Sequence, residues 1–376
     1  MKQFYEMLAL PLQRIVAIDS APIFRAFVNK SFGAGANERF EVDIRGFQNA
    51  RDAALNVTQS TDESGLNYVL HMVYQLRKMA PRFAEYETDL MISYTYYDAF
   101  KPTRKITSRT LFYDLSVFLW NYAALHSHVG SRIDRGSDEG IKIAQRHYQY
   151  AAGALECILS ECLHRMKDTT GANFGPINTS VINMCKELML AQGQLCFYEK
   201  AVKDRKVGLM KPAIIAKLAA QTAIFYKSAA EMSKSGNCAA YVDESWGVHA
   251  EFQNRCFNAA AEYWMSQSEK EAAQSKGAGY GIEIARLNKA EVMQQDALSY
   301  ATKHKMGVSS TNGAASLLRS ITSAKSSALH DNRTVYMEPI PQEASLTAVK
   351  AVSLVKPSEP PEYGGTITYN SYHYNP

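Results

Sequence analysis

The stretch that decides the fold is DEGIKIAQRHYQYAAGALECIL, Asp138–Leu159. When its residues are placed 100° apart, as in an α-helix, the apolar residues fall on one stripe and polar residues fall on an adjacent flank. The stripe predicts a helix that buries one face in a core, and the flank raises the question of what it contacts. The stripe consists of Ile141, Ala144, Tyr148, Ala151, Ala152, Leu155 and Leu159, and the flank of Asp138, Lys142, Gln145, Gln149 and Glu156.

Amphipathic helical patterns continue on both sides of this stretch, with starts that recur every thirty to forty residues or so. This spacing indicates the stacked helices of a solenoid. Towards the N-terminus, shorter helical patterns precede the segment DLMISYTYYDAF (89–100), in which apolar and polar residues alternate as in a strand. The sequence therefore predicts a mainly α-helical solenoid with a small β-sheet near its N-terminal part. The predicted helices lie near 21–32, 38–57, 63–79, 107–132, 138–166, 177–204, 210–233, 243–275 and 279–304.

After about residue 328 the composition changes: no helical period is present there, and prolines and small polar residues punctuate the sequence. Segments of this composition run extended over a surface or remain disordered. We expect one domain over residues 1–355 and a proline-containing flexible tail over 356–376.

The composition argues against several functional classes. A net charge of +4 is too small for a dedicated nucleic-acid-binding protein, which carries a concentrated basic surface. The six cysteines lack metal-type spacing and lie in helical segments, as buried apolar residues of a reducing compartment do. No stretch approaches the roughly 18 apolar residues of a membrane span. We predict a cytoplasmic protein that contacts membranes only peripherally or through partners.

Catalytic signatures are absent from the sequence. It contains no GxxxxGK[ST], HExxH or GxSxG motif, and the nine histidines are scattered. The segment GAGYG (277–281) follows a helical pattern rather than a strand, which indicates a turn and not a dinucleotide site. We therefore predict a protein that is not an enzyme and that uses no cofactor or metal.

Two helices carry apolar residues that one core face does not explain. In the helix near 181–204, Phe197 points about 140° away from the inner stripe, towards Lys200 and Gly193. The helix near 211–232 is apolar over roughly 200° of arc, with Ile214 and Leu218 on one side. Each residue either packs against a second helical layer or forms part of a binding face. The helical pattern alone leaves these alternatives open.

The polar flank of the first helix has two interpretations as well. Asp138 and Lys142 are four residues apart, so they form either a surface ion pair or the rim of a binding face. Periodicity does not decide between them.

Several blocks of the sequence resemble the BRO-one domain family, which includes ALIX-like proteins. The resemblance covers roughly residues 5–355, and the blocks follow the family's order. It implies a curved, boomerang-shaped fold: a tetratricopeptide-like helical solenoid that carries a small β-sheet. The blocks are DEGIKIAQRHYQYAAGAL (138–155), LMLAQGQLCFYEKA (188–201), PAIIAKLAAQTAIFYKSA (212–229), YGIEIARLNKAE (280–291) and HDNRTVYMEPIP (330–341).

The resemblance also implies a function and a site. It suggests an adaptor that binds the C-terminal amphipathic helix of an ESCRT-III polymer subunit, of the charged multivesicular body protein class. Such an adaptor is recruited to endosomal membranes and serves endosomal sorting, multivesicular body formation and membrane scission. The alternative is a rhophilin-like or adhesion-type signalling scaffold that binds a different partner. The family's docking positions fall on Phe197, Ile214, Leu218, Asp138 and Lys142, and we add the neighbouring Lys200.

Two motifs near the C-terminus concern further interactions. Tyr336 aligns with a tyrosine that is phosphorylated in some relatives, although the family's neighbouring histidine and acidic residue are missing from the sequence YME here. The sequence PPEY, which contains Pro360, Pro361 and Tyr363, fits the proline-rich ligands of WW domains. Tyr336 is therefore a candidate phosphorylation site that lacks the family's neighbouring residues, and 360–363 is a candidate WW-domain ligand.

Overall fold

The structure is a computed structural model, and it describes residues 5–57, 63–166 and 174–363. Helices dominate the described residues, and one two-stranded sheet lies between the fourth and fifth helices. The elements are α1 Ala21–Phe32, α2 Ala36–Val57, α3 Gly65–Phe83, α4 Glu87–Leu90, β1 Tyr94–Tyr97, β2 Lys105–Ser108, α5 Leu111–Arg132, α6 Asp138–Cys157, α7 Thr179–Lys206, α8 Pro212–Ser233, α9 Gly236–Ala239, α10 Glu244–Lys276, α11 Tyr280–Lys303 and α12 Val308–Asp331.

The sheet is a β-hairpin in which β1 and β2 pair in antiparallel register, with Tyr94 opposite Ser108. A bridge from Ile15 to Tyr96 adds the N-terminal segment to the other edge of β1. The alternation in 89–100 correctly predicts a strand, but the strand is shorter because Glu87–Leu90 forms a helical turn. The partner strand β2 was not predicted.

The longer helices pack in sequence order, from α5 through α6, α7, α8 and α10 to α11 and α12. Ion pairs at both ends show that α6 and α7 are antiparallel. Asp138 at the start of α6 pairs with Lys203 near the end of α7 at 2.8 Å, and Glu156 near the end of α6 pairs with Lys186 near the start of α7 at 2.7 Å. The predicted helical solenoid is therefore confirmed.

Helix starts follow from local sequence. Ser137 caps α6 by accepting a hydrogen bond from the Gly140 N–H at 2.9 Å, and Asn178 caps α7 by accepting one from the Val181 N–H at 3.1 Å. Pro212 begins α8, where its missing N–H and fixed φ suit the first helical position. These caps set the limits of the helices that carry the predicted site.

The C-terminal part differs from the sequence-based expectation in two ways. Helix α12 was not predicted, because its inner face is built of small residues such as Gly313, Ala314 and Ala328, which give a weak apolar stripe. The packed chain also continues to Tyr363, past the boundary expected at residue 355. The expected flexible tail is therefore wrong for 356–363, where Pro360 is buried and Tyr363 stacks on His71. Residues 364–376 lie outside the described residues.

Candidate functional site

Residues 347–363, which we call the strap, cross one face of the helical stack. Arg286 of α11 donates to the carbonyl of Thr347 at 2.8 Å, and the N–H of Val352 donates to the carbonyl of Lys217 in α8 at 3.2 Å. Further along, the N–H of Ser358 donates to the carbonyl of Gln149 in α6 at 3.0 Å. The strap therefore passes over α11, α8, α7 and α6 and ends on α3, where Tyr363 lies.

Gln194 of α7 holds the middle of the strap. Its Nε2 donates to the carbonyl of Val352 at 2.9 Å, and its Oε1 accepts from the N–H groups of Leu354 and Val355 at 3.0 and 3.2 Å. The side chain of Val355 is buried over Gly193. One buried amide thus satisfies three backbone groups of a segment that has no strand partner.

Close approach of the strap to α6 requires a glycine at position 153. A Cβ placed on Gly153 would lie 1.7 Å from the carbonyl oxygen of Ser358. No side chain fits at that distance, so the contact between α6 and the strap depends on this glycine.

The predicted apolar residues lie beside the strap on the same helix faces. Phe197 is three residues from Gln194, and Ile214 is three residues from Lys217, so each shares the face that contacts the strap. Because α6 and α7 are antiparallel and a short connection joins α7 to α8, the start of α6, the end of α7 and the start of α8 lie close together. Asp138, Phe197 and Ile214 belong to these helix ends, so they lie on the same side of the strap. We call this surface, which Asp138, Lys142, Phe197, Lys200 and Ile214 form, the groove.

The three predicted apolar anchors differ in depth. Ile214 is 44% exposed, Phe197 is half-buried against the core, and Leu218 is only 2% exposed. Leu218 therefore lies beneath the groove and offers almost no surface to a visiting peptide. The strap supplies exposed apolar side chains that the sequence-based prediction missed: Val352 is 40% and Leu354 is 50% exposed.

The charged residues of the groove do not form the ion pair between Asp138 and Lys142 that their spacing allows. Asp138 does not pair with Lys142; its carboxylate lies 2.8 Å from Nζ of Lys203 and 3.4 Å from Nζ of Lys200. The hydrogen bond from Lys203 lowers the pKa of Asp138, and the bond from Lys200 adds to the effect. Lys142 is exposed and has no ion pair among the residues that the structure describes.

A buried ion pair supports the groove from below. Arg135 donates from Nε to Glu199 at 2.7 Å and from Nη2 to the carbonyl of Tyr5 at 2.9 Å. Burial raises the pKa of Glu199, and the charge of Arg135 offsets only part of that effect. The pair fixes the start of α6 against the C-terminal half of α7, so it holds Asp138 next to its lysine partners.

The six cysteines do not offer a reactive thiol. All six cysteines are buried and unpaired. Burial raises the pKa of the Cys157 and Cys256 thiols to about 12 and that of Cys238 to about 11, so these thiols stay protonated at neutral pH. No group of three or more His, Cys, Asp or Glu side chains that could hold a metal ion is found among the described residues.

The remaining predicted residues lie outside the groove. Tyr336 stacks on Tyr280 with ring centroids 3.5 Å apart and planes 5° apart, and it is 38% exposed. In the PPEY segment, Pro360 is buried, Pro361 is exposed and Tyr363 packs on His71 and Tyr74 of α3. The PPEY segment is thus part of the packed strap.

The residues that sequence reasoning missed are those that hold the strap. Gln194 lies in the segment AQGQLC (191–196). A polar side chain at an inner helix position indicates a buried hydrogen-bonding role, so this residue could have been noticed from the sequence. Gln149 belongs to the polar flank of the opening stretch and bonds to the strap through both its carbonyl and its side chain, the latter at 3.1 Å from the carbonyl of Lys356. Part of the flank therefore faces the strap.

Comparison with known proteins agrees with this architecture. Residues 7–373 match the BRO1-like domain. The chain belongs to the BRO1-like domain family. Its fold resembles that of the structure described as "ALIX BRO1 CHMP4C complex", with a TM-score of 0.81, 25% identity, and coverage of 96% of this chain and 97% of that one. The curved helical solenoid with a small sheet is thereby confirmed.

Named relatives of this BRO1-like domain are longer proteins. It is 28% identical over 369 residues to the vacuolar protein-sorting protein BRO1 of Gibberella zeae, covering 93% of this chain and 35% of the relative. It is 25% identical over 366 residues to ALG-2 interacting protein X of Dictyostelium discoideum, covering 97% of this chain and 44% of the relative. It is 27% identical over 361 residues to human programmed cell death 6-interacting protein, covering 93% and 39%. The chain thus spans between a third and a half of the length of these relatives.

None of the helices within residues 5–57, 63–166 and 174–363 is both long and apolar enough to cross a bilayer.

Proposed function

We propose that this BRO1-like domain is a non-catalytic adaptor whose groove binds the C-terminal amphipathic helix of an ESCRT-III subunit of the charged multivesicular body protein class. The observation that carries the proposal is the exposure of three apolar side chains, Ile214 of α8 and Val352 and Leu354 of the strap, where the N–H of Val352 bonds to the carbonyl of Lys217, three residues from Ile214. Similarity in fold to the ALIX BRO1 domain in its complex with CHMP4C supports the choice of partner.

The groove suits an amphipathic helix because it combines a narrow apolar strip with charged edges. An incoming helix would place residues spaced three or four apart over Ile214 and Leu354. Lys142, which has no ion pair among the described residues, would meet an acidic side chain of that helix. Asp138 is already engaged by Lys200 and Lys203 and therefore contributes more to position than to affinity.

The expected affinity depends on how far the predicted apolar side chains are already buried. Because Leu218 is buried and Phe197 is half-buried, the groove offers less apolar area than three exposed anchors would. Partly exposed Ile, Leu and Val side chains contribute roughly 1 kcal/mol each when they become covered. Ordering the peptide offsets part of this gain, so we expect weaker binding than three fully exposed anchors would give.

The test is a fluorescence anisotropy titration with the C-terminal helix of a charged multivesicular body protein and a scrambled peptide of the same composition. Ile214→Asp should weaken binding of the native peptide at least about tenfold, because it places a charge in the apolar strip. The matched control is Ile224→Asp, since Ile224 is 51% exposed on the same helix but on another face. Both variants should melt at the temperature of the unchanged protein.

Two results would contradict the proposal at different levels. Equal binding of native and scrambled peptides would reject the adaptor function. Unchanged binding by Ile214→Asp, together with weaker binding by Ile224→Asp, would keep the partner but reject the groove. Recruitment to endosomal membranes in multivesicular body formation and membrane scission is the cellular role that we propose for this binding.

A further inference from the structure

A cavity of about 880 Å³ lies between α1, α2 and α3, and no residue of the groove or strap lines it. Its inner wall is made of the buried side chains of Phe24, Phe27, Val28 and Phe47, which are 3–8% exposed. The rings meet one another edge to face: the centroid of Phe24 lies 5.4 Å from that of Phe47. A cavity of roughly 300–1,000 Å³ with mostly apolar walls and a few polar groups is typical of a small-molecule site.

The mouth of this cavity is also apolar. Phe32 is 61%, Phe40 is 37%, Val42 is 83% and Tyr86 is 47% exposed, and all four line the cavity. Phe32 and Phe40 lie with ring centroids 5.8 Å apart across the α1–α2 junction. Soluble proteins seldom expose several large apolar side chains side by side unless something binds there.

Two cations stand at the mouth without an acidic partner. Lys78 and Arg82 are four residues apart on α3, and neither forms an ion pair among the described residues. Lys78 instead donates to the hydroxyl of Tyr74 at 2.5 Å. Asp43 is the single carboxylate among the described lining residues. The mouth therefore carries a net charge of about +1, which one carboxylate would balance.

We propose that this cavity binds a long-chain fatty acid, with the hydrocarbon chain among the phenylalanine rings and the carboxylate at Lys78 and Arg82. A single chain is narrow enough to pass between the helices and reach the buried faces of Phe24 and Phe47. A partner helix, about 10 Å across, would rest on the exposed rim and leave those inner faces uncovered. The charge at the mouth selects an acid over a neutral alcohol of the same length.

The experiment is isothermal titration of the full 376-residue chain with saturated fatty acids from octanoate to hexadecanoate, each below its aggregation concentration. Binding should saturate at one molecule per chain. Affinity should rise about fourfold for each added methylene until the cavity is full, and then level off. Dodecanol should bind at least about tenfold more weakly than dodecanoate because it carries no charge for the two cations.

Two variants distinguish binding of the ligand in this cavity from its nonspecific association with the protein. Lys78→Glu/Arg82→Glu changes exposed side chains only, and should weaken dodecanoate binding at least about tenfold while dodecanol binding stays the same. Ile44→Trp adds volume inside the cavity and should abolish binding of both molecules. The matched control is Lys303→Glu/Lys305→Glu near the end of α11, which should leave both unchanged.

Three outcomes would overturn the proposal. The first is dodecanoate binding that does not saturate, and the second is binding that the charge-reversal variant retains in full. The third is no dodecanoate binding; capture of an acidic amphipathic peptide that Lys78→Glu/Arg82→Glu abolishes would then assign the rim to a protein partner. If Ile44→Trp fails to fold, the charge-reversal variant still decides, because its side chains are exposed.

Discussion

Arg51 of α2 and Asp114 of α5 form an ion pair from which solvent is excluded: both side chains are 0% exposed. Nη2 of Arg51 lies 3.1 Å from Oδ1 of Asp114, and the hydroxyl of Tyr96 donates to the same oxygen at 2.7 Å. One carboxylate therefore connects α2, β1 and α5, and it joins the N-terminal helices to the sheet and to the central helix.

Removal of one charge from this pair should be costly. Asp114→Asn would leave the guanidinium of Arg51 buried without a counter-charge, and should lower the free energy of unfolding by about 3–5 kcal/mol. Urea denaturation measures the change. Glu231→Gln, which breaks the exposed pair with Lys227, serves as control and should cost less than about 0.5 kcal/mol. Equal effects from the two variants would show that the buried pair has no special role in stability.

Substitutions of Leu218 and Ile214 should lower the free energy of unfolding by different amounts. Leu218 is buried, so Leu218→Ala should lower the free energy of unfolding by about 2–5 kcal/mol through lost packing and a new cavity. Ile214 is 44% exposed, and Ile214→Ala should cost less than about 1 kcal/mol. Denaturant titration of both variants provides the comparison. A large loss from Ile214→Ala would mean that this residue belongs to the core and not to the groove.

The stability of the protein should depend on a histidine pair at acid pH. Nδ1 of His126 lies 2.8 Å from Nδ1 of His147. Burial lowers the pKa of both rings, and the charge of His147 adds to the effect on His126. The unfolded chain binds protons below about pH 6.5, but the folded pair does so only at lower pH. This contribution to stability is therefore present above pH 6.5 and is lost as the pH falls towards the lowered pKa values.

Thermal melts at pH 7.5 and 5.5 test this dependence. His147→Gln keeps a hydrogen-bonding side chain but cannot titrate, so the loss of melting temperature between the two pH values should become smaller. His330→Gln replaces a histidine outside this pair and should leave that difference unchanged. If both variants behave like the unchanged protein, the pair does not govern acid sensitivity.

The PPEY segment should be less available in the folded protein than in a free peptide. Pro360 is buried and the ring of Tyr363 lies 4.6 Å from that of His71, so a WW domain would first have to release this end of the strap. Only the released fraction binds, and the apparent affinity falls by that fraction. We expect a peptide of residues 357–367 to bind a WW domain at least about tenfold more tightly than the folded chain does.

His71→Ala removes the stacking partner of Tyr363 and should recover part of the lost affinity, as measured by surface plasmon resonance. Tyr363→Ala should abolish binding in both peptide and protein. Equal affinities of peptide and folded chain would show that packing does not restrict the motif, and absence of binding by the peptide would reject the predicted WW ligand.

Local sequence rules predicted the helices of the solenoid well. The start predicted at Asp138 is correct because Ser137 provides a cap, and the start predicted near 210 falls two residues before Pro212. Helix α12 escaped prediction because Gly, Ala and Ser fill its inner face, and small side chains pack closely without forming a clear apolar stripe. Strand β2 escaped because it has only four residues and a single apolar one, Ile106, so no alternation is recognisable.

For the candidate site, the sequence could indicate which helix faces carry its residues but not how deeply each side chain is buried. Helical periodicity sets Phe197 and Ile214 apart from the inner stripes of their helices, and in the structure Phe197 is half-buried and Ile214 is exposed. The burial of Leu218 depends on what covers α8, and the strap arrives there from far along the chain, as the bond from Val352 to Lys217 shows. The bonds of Gln194 to the strap join residues 158 to 161 positions apart, which no local pattern reveals.

The path of the strap across the helices affects how cooperatively the domain unfolds. In a stack where each repeat touches only its neighbours, the terminal layers can fray while the middle stays intact. Here the strap contacts helices that are not adjacent to one another, from α11 to α3. It therefore opposes local unfolding of the terminal helices. Proteolytic nicking within 347–363 would remove these contacts and turn an all-or-none transition into a gradual one.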